Sequence, residues 1–172
     1  LKDFSSIVSF NDDNRLLGML PPFHSLGLVG TIILPLSLGL RTVYHANPTE
    51  ASLLAGLIER YSVSILIGTP TFLLGIIKAA TAQQVQSLRL VFTGAEKCPE
   101  PTYQALKEIN PAATLCEGYG ITECSPLVSI NRVEDPRPGT IGKVMPSMEY
   151  AIVDHETEKR VVVGNQGILL VR

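Results

Sequence analysis

Short apolar runs alternate with longer amphipathic runs along most of this chain, and this alternation constrains the fold more than any other feature of the sequence. Residues 16–20, 63–67 and 88–92 have the length and residue types of buried strands. The stretches between them carry apolar residues at helical spacing. A strand–helix–strand rhythm is typical of a parallel sheet with helices on both faces, so the predicted fold class is α/β.

The remaining elements follow the same pattern up to Asn131 and a different one after it. Further strands are predicted at residues 40–44 and 113–117, and helices at residues 25–38, 50–61, 70–80 and 99–109. Beyond Asn131, short strands are predicted at residues 150–153, 160–163 and 168–171. We therefore expect an α/β subdomain over residues 1–131 and a small antiparallel β segment, the start of a barrel, over residues 132–172.

Composition excludes a disordered chain and argues against nucleic-acid binding. Hydrophobic residues make up 45% and charged residues 17% of the sequence, as in globular domains. With 14 basic and 16 acidic residues there is no basic excess to bind a phosphate backbone, and no nucleic-acid partner is expected. Three cysteines without a C-x-x-C pair indicate reduced thiols in an intracellular protein, so a cytoplasmic location is predicted.

The stretch from residue 16 to residue 40 has no charged residue and is long enough to raise the question of a membrane span. Pro21, Pro22 and Pro35 interrupt it, and a broken backbone is poorly tolerated when it faces lipid. A buried strand, a turn and a buried helix explain the stretch better. A membrane or scaffold protein built on it is the less favoured alternative.

Four loops follow predicted strands, at residues 21–25, 68–71, 94–99 and 118–125. In parallel α/β sheets, ligands bind beyond the carboxyl ends of the strands. Because these ends meet at one edge, we expect the four loops to lie close together and to form the ligand site.

The segment at residues 117–123 carries the most specific chemistry. Gly118 and Gly120 would let the backbone approach a ligand closely. Tyr119 offers a ring that can stack on a base, Thr122 a hydroxyl for a phosphate oxygen, and Glu123 a carboxylate suited to Mg²⁺. A glycine-containing turn with an exposed tyrosine and glutamate would explain the same residues without a function.

Five short motifs occur in one order along the chain: LPPFHSLG at residues 20–27, GTPT at 68–71, TGAE at 93–96, GYGITE at 118–123 and PGTIG at 138–142. Together they resemble the adenylate-forming superfamily, which includes acyl-CoA synthetases, fatty acyl-carrier-protein ligases, luciferases and the adenylation domains of peptide synthetases. The resemblance covers essentially the whole chain.

The resemblance implies roles for the site residues. The residues that would surround or approach adenine come from two loops: Gly94, Ala95, Glu96, Gly118, Tyr119 and Gly120. Thr122 would contact the α-phosphate and Glu123 would hold magnesium, whereas His24 would lie at the mouth of the acyl pocket near the reacting carboxylate. Gly68 and Thr69 would help to wall that pocket.

The implied reaction uses ATP and Mg²⁺ to activate a carboxylate as an acyl-adenylate, with release of pyrophosphate. The acyl group would then pass to a thiol of coenzyme A or of an acyl-carrier protein. Residues 93–99 resemble fatty acyl-carrier-protein ligases most, so a long-chain fatty acid is the expected substrate. Such substrates partition into membranes, so the parent protein is expected to associate peripherally with the inner face of the membrane.

Parts of the family pattern are missing from the sequence. The phosphate-binding loop would precede residue 1, whereas the ribose-binding aspartate and the small domain with the catalytic lysine would follow residue 172. We therefore expect the chain alone to be inactive in adenylation. The rival hypothesis is a non-catalytic nucleotide-binding or flavin-binding module, which would need Tyr119 and the Gly94 loop but neither His24 nor Glu123.

Overall fold

A seven-stranded sheet organises the computed structural model, which describes residues 2–172. Its strands are β1 Arg15–Gly18, β2 Arg41–Tyr44, β3 Ile65–Gly68, β4 Leu90–Thr93, β5 Thr114–Gly120, β6 Leu127–Ile130 and β7 Lys143–Val144. They lie in the order β2-β1-β3-β4-β5-β6-β7. The first five pair in parallel, and β6 and β7 continue the sheet in antiparallel pairing. The predicted α/β class is confirmed.

Helices cover both faces of this sheet. They are α1 Lys2–Ile7, α2 Ser25–Gly27, a π-helical segment Leu28–Ile33, α3 Leu34–Leu38, α4 Ala51–Tyr61, α5 Pro70–Ala79, α6 Ala82–Val85 and α7 Glu100–Ile109. Successive residues of a strand point to opposite faces. Leu66 and Val91 accordingly pack with α4, α5 and α7, whereas Ile65 and Phe92 pack with α1 and α3.

The predicted loop at residues 118–125 is wrong at its beginning. Gly118, Tyr119 and Gly120 extend β5 and pair antiparallel with Ile130, Ser129 and Leu127 of β6. Two glycines beside a tyrosine indicate a loop when the pairing partner is not known, and β6 was not among the predicted strands. The loop itself begins at Ile121.

The last part of the chain forms a separate two-stranded antiparallel sheet of β8 Tyr150–Val153 and β9 Ile168–Val171. The strand predicted at residues 160–163 is wrong, because Arg160 makes only an isolated bridge to Val153. The main sheet continues past residue 131 through β7. The division into two subdomains at that residue stays a prediction.

The uncharged stretch at residues 16–40 contains a strand, a turn and a helical segment, as expected. Within the range 2–172, no helix is long and apolar enough to cross a membrane.

The helical segment from Ser25 to Leu38 is irregular for a reason found in its sequence. Pro35 has no N–H, so it cannot donate to the carbonyl one α-turn earlier, that of Thr31. The Tyr44 hydroxyl donates to that oxygen instead, at 2.8 Å. The Thr31 hydroxyl donates to the Gly27 carbonyl at 2.7 Å. It therefore competes for that oxygen with the backbone N–H groups of the helix. A π-helical segment lies between Gly27 and Pro35, and such segments are frequent at functional sites.

Replacing Tyr44 with phenylalanine should therefore destabilise the chain although the ring is kept. The Thr31 carbonyl would lose its donor, which we expect to lower the free energy of unfolding by about 1 kcal/mol. Urea unfolding measures the change. Tyr61→Phe is the matched control, because the Tyr61 ring lies against Arg60 and its ring contact is kept. Equal midpoints for the two variants would contradict the assigned role of the Tyr44 hydroxyl.

Candidate functional site

A cleft of about 620 Å³ opens where the carboxyl ends of β3, β4 and β5 meet the loop before α2. Residues from three of the predicted motifs line it together: His24, Gly94, Ala95, Gly118, Tyr119, Gly120 and Thr122. Glu96 and Glu123 lie outside the lining. The convergence of the early histidine, the alanine-bearing turn and the tyrosine on one cleft is the central geometric finding.

His24 begins the helical segment that forms one wall of the cleft. It is the N-cap residue of α2, and its Nδ1 accepts a hydrogen bond from the Leu26 N–H at 3.2 Å. A neutral imidazole that accepts at Nδ1 carries its proton on Nε2. His24 therefore offers one N–H donor at the mouth of the cleft.

A hydroxyl pair joins the His24 loop to the Tyr119 segment. The Ser25 and Thr122 hydroxyl oxygens are 3.0 Å apart. Each hydroxyl can donate one hydrogen bond and accept two. Thr122 can therefore stay bonded to Ser25 and still bind a phosphate oxygen, as the predicted role requires.

The turn after β4 and the end of β5 approach each other closely. A Cβ on Gly94 would lie 3.0 Å from the Gly118 carbonyl oxygen. Ala95 follows with a φ of 67°, a left-handed conformation that non-glycine residues rarely adopt. A side chain at Gly94 would push the turn away from β5, so glycine there sets the distance between the two segments.

Glu96 has a protein partner in the structure. Its carboxylate is exposed and accepts from the Thr71 hydroxyl at 2.9 Å. This bond ties the turn after β4 to the first residues of α5. The expected contact of Glu96 with the base stays a prediction.

Glu123 is exposed on a short 3₁₀ turn, Thr122–Cys124. No hydrogen bond or ion pair engages its carboxylate in the part of the chain that the structure describes. The same residues contain no group of three metal-ligating side chains. Mg²⁺ in nucleotide sites is usually held by one or two carboxylates together with phosphate oxygens. A single available carboxylate therefore fits a magnesium ion that arrives with its nucleotide.

The floor of the cleft is apolar, and sequence reasoning found only part of it. Residues from the helical segment and from two central strands line it: Leu26, Val29, Gly30, Leu34, Ile67 and Phe92. Phe4, Met145 and Met148 complete it from distant parts of the chain. Gly68 and Thr69, expected in the wall, are outside the lining, and Thr69 instead accepts from the Phe72 N–H and caps α5. The position of Met145 depends on β7, whose pairing the sequence pattern did not reveal.

Glu117 is a further residue that sequence reasoning missed. Its side chain is buried, and its two oxygens accept from the Cys98 N–H at 3.0 Å and the Tyr103 hydroxyl at 2.7 Å. Burial, followed by the charge of Glu117, raises the pKa of the Cys98 thiol to about 11. Burial and the hydrogen bond to Glu117 raise the pKa of Tyr103 above its ordinary range. A carboxylate at an inward position of a predicted buried strand signals that the residue needs polar partners, but it does not say which residues supply them.

Asn131 fixes the PGTIG motif to the sheet. Its side-chain amide is buried and donates to the carbonyls of Glu117 at 3.2 Å and Thr140 at 2.6 Å. Its oxygen accepts from the Arg137 N–H at 3.0 Å. The Asn131 side chain therefore anchors the loop that leads toward β7.

The fold and the order of the motifs around the cleft are those of the adenylate-forming enzymes. The model of the family described as AMP-binding enzyme matches residues 2–172, and the chain belongs to this family.

Individual proteins resemble the chain over nearly its whole length. It is 29% identical to a 4-coumarate–CoA ligase of Pinus taeda over 95% of the chain and 32% of the relative. A solved anthranilate CoA ligase in complex with anthranoyl-AMP superposes with a TM-score of 0.85 at 26% identity, over 98% of the chain and 33% of that protein. A long-chain-fatty-acid-CoA ligase of Archaeoglobus fulgidus shares the fold, with a TM-score of 0.85 at 21% identity, over 99% of the chain and 36% of that protein. The chain thus spans about a third of the length of each.

Proposed function

We propose that the chain forms the adenine and acyl part of the active site in a longer ATP-dependent acyl ligase. The convergence of His24, Ala95 and Tyr119 on one cleft carries this proposal. Tyr119 would stack on adenine, and the turn at residues 94–96 would face the other side of the base. The shape of the cleft, with a polar mouth and an apolar floor, supports a charged group bound next to an apolar tail.

The reacting groups would meet at the mouth of the cleft. His24 would donate from Nε2 to the carboxylate and hold it, and Thr122 would donate to an α-phosphate oxygen. Glu123 would hold magnesium, whose charge would offset that of the phosphate oxygens as the carboxylate attacks. Pyrophosphate would leave, and the acyl-adenylate would keep its tail against the apolar floor, away from water.

The proposed substrate is an apolar carboxylic acid, with a fatty acid as the first choice because the floor offers aliphatic and methionine side chains. An aromatic acid is the second choice, since the coumarate and anthranilate ligases are named for such substrates. The acceptor would be the thiol of coenzyme A, as those names suggest, or of an acyl-carrier protein. We infer a cytoplasmic parent protein, with peripheral membrane association if the substrate is a long-chain fatty acid.

Pyrophosphate release by a complete ligase that carries this segment tests the proposal. The assay supplies ATP, Mg²⁺ and a panel of saturated fatty acids beside 4-coumarate and benzoate derivatives. We expect ATP-dependent release with the fatty acids and a slower reaction with the aromatic acids. Faster release with the aromatic acids would establish the second choice. Nucleotide binding without release for any carboxylate would favour the non-catalytic module.

A further inference from the structure

The Glu117 side chain lies on the face of the sheet opposite the floor of the cleft. Alternate residues of a strand share a face, and Leu115 packs with α7 whereas Cys116 packs with α1 and α3. Glu117 therefore points toward α7, where Tyr103 meets it. It does not line the cleft, so any effect on a ligand must pass through its hydrogen-bond partners.

Its first partner belongs to the turn that would face adenine. The Cys98 N–H donates to Oε1 of Glu117, and Cys98 ends the turn that contains Gly94 and Ala95. Gly118, the next residue after Glu117, is the one that Gly94 approaches most closely. One carboxylate thus links the turn to the strand directly beneath the point where the two segments meet.

Its second partner connects a third segment. The Tyr103 hydroxyl donates to Oε2 of Glu117. Asn131 joins the PGTIG motif to the same residue, because its side-chain amide donates to the carbonyls of Glu117 and Thr140. The turn at residues 94–98, α7 and the PGTIG motif are therefore all connected to Glu117.

We propose that Glu117 is a positioning residue, whose carboxylate fixes the spacing between the turn at residues 94–98 and the end of β5 and thereby the selectivity of the site for adenine. This inference rests on the proposed function, because it assumes that the base binds between these segments. A carboxylate suits the task because it presents two acceptors to two donors, the buried Cys98 N–H and the partly buried Tyr103 hydroxyl, and an unmade hydrogen bond of a buried group is costly.

Three variants separate positioning from general stability. Glu117→Gln can still accept from Cys98 and donate to the Tyr103 oxygen, so it should keep the spacing. Glu117→Ala leaves both donors without an acceptor. Asn110→Ala is the matched control: its buried side chain donates to the Val85 and Leu88 carbonyls, and neither it nor its partners line the cleft.

In a complete ligase that carries this segment, Glu117→Ala should raise the KM for ATP about tenfold and lower the preference for ATP over GTP by a similar factor. The KM for the carboxylate should change by less than about twofold, and Glu117→Gln should restore most of the ATP preference. Asn110→Ala should leave that preference unchanged. Equal changes for Asn110→Ala and Glu117→Ala, or an unchanged ATP preference in Glu117→Ala, would overturn the proposal.

Amide hydrogen exchange in the same complete ligase gives a readout that does not depend on activity. Glu117→Ala should speed exchange at residues 95–98 and 118–120, whereas Asn110→Ala should speed it only near its own partners Val85, Leu88 and Ala112. If Glu117→Ala does not fold, Tyr103→Phe removes one donor and should show the same local pattern more weakly.

Absence of ATP-dependent release in the unmodified ligase would refute the proposed function, while the exchange pattern would still decide whether Glu117 holds the two segments. Unchanged exchange in the turn would refute the positioning role.

Discussion

Glu123→Gln is expected to lower ATP-dependent pyrophosphate release by about 100- to 1,000-fold in a complete ligase, as removal of one charge-stabilising group typically does. The exposed carboxylate has no protein partner within the described residues, so its loss should cost little stability. Without it, magnesium would lose its proposed protein ligand, and the negative charge that builds on the phosphate oxygens would be less well neutralised. The kcat from initial rates, with thermal unfolding measured in parallel, separates the two effects.

Glu108→Gln is the matched control for this variant. Glu108 is an exposed carboxylate on α7, away from the cleft, and its replacement makes the same change in net charge. It should leave the kcat unchanged. A Glu123→Gln enzyme with normal release and an unchanged requirement for Mg²⁺ would remove Glu123 from the magnesium site. A raised requirement for Mg²⁺ in Glu123→Gln alone is the specific signature of the proposed role.

The strand–helix rhythm was sufficient to predict the five parallel strands because the central ones are continuous apolar runs with their own flanking turns. A strand that is buried on both faces needs apolar residues at nearly every position, so the run is recognisable in the sequence. For the same reason the sequence alone assigns the strand-end loops to one edge of the sheet. His24 and Tyr119 lie on one cleft because their segments meet at that edge of the sheet. No sequence pattern links the two residues directly.

The features that the sequence did not predict share a different cause, because each depends on a partner far away in the sequence. Residues 118–120 become strand only because β6 pairs with them. Phe4 and Met145 reach the cleft from opposite ends of the chain. Glu117 is explained only by donors on a loop and a helix, so its local sequence, which favours a simple strand, gives no hint of its partners.

Gly120→Ala is expected to destabilise the 172-residue chain by about 3 kcal/mol, near the upper end of the usual cost of overpacking. A Cβ at this position would lie 1.7 Å from the Pro126 carbonyl oxygen, so the backbone of β5 or β6 must move. The register between these strands already shifts between Tyr119 and Gly120, which leaves little room for adjustment. The displacement would also move Tyr119, so nucleotide affinity in a complete ligase should fall together with stability.

Gly56→Ala makes the same chemical change where there is space for it. Gly56 lies within α4. A Cβ there would have no atom within 4 Å apart from its two chain neighbours and the nearby backbone of its own helix. Alanine in a helix interior is favoured over glycine, so this variant should gain roughly 0.5–1 kcal/mol. Urea unfolding should therefore shift in opposite directions for the two substitutions. A Gly120→Ala chain that unfolds at the same urea concentration as the unmodified chain would show that the β5–β6 junction can relax. The short distance to the Pro126 carbonyl oxygen would then not be the reason for a glycine at position 120.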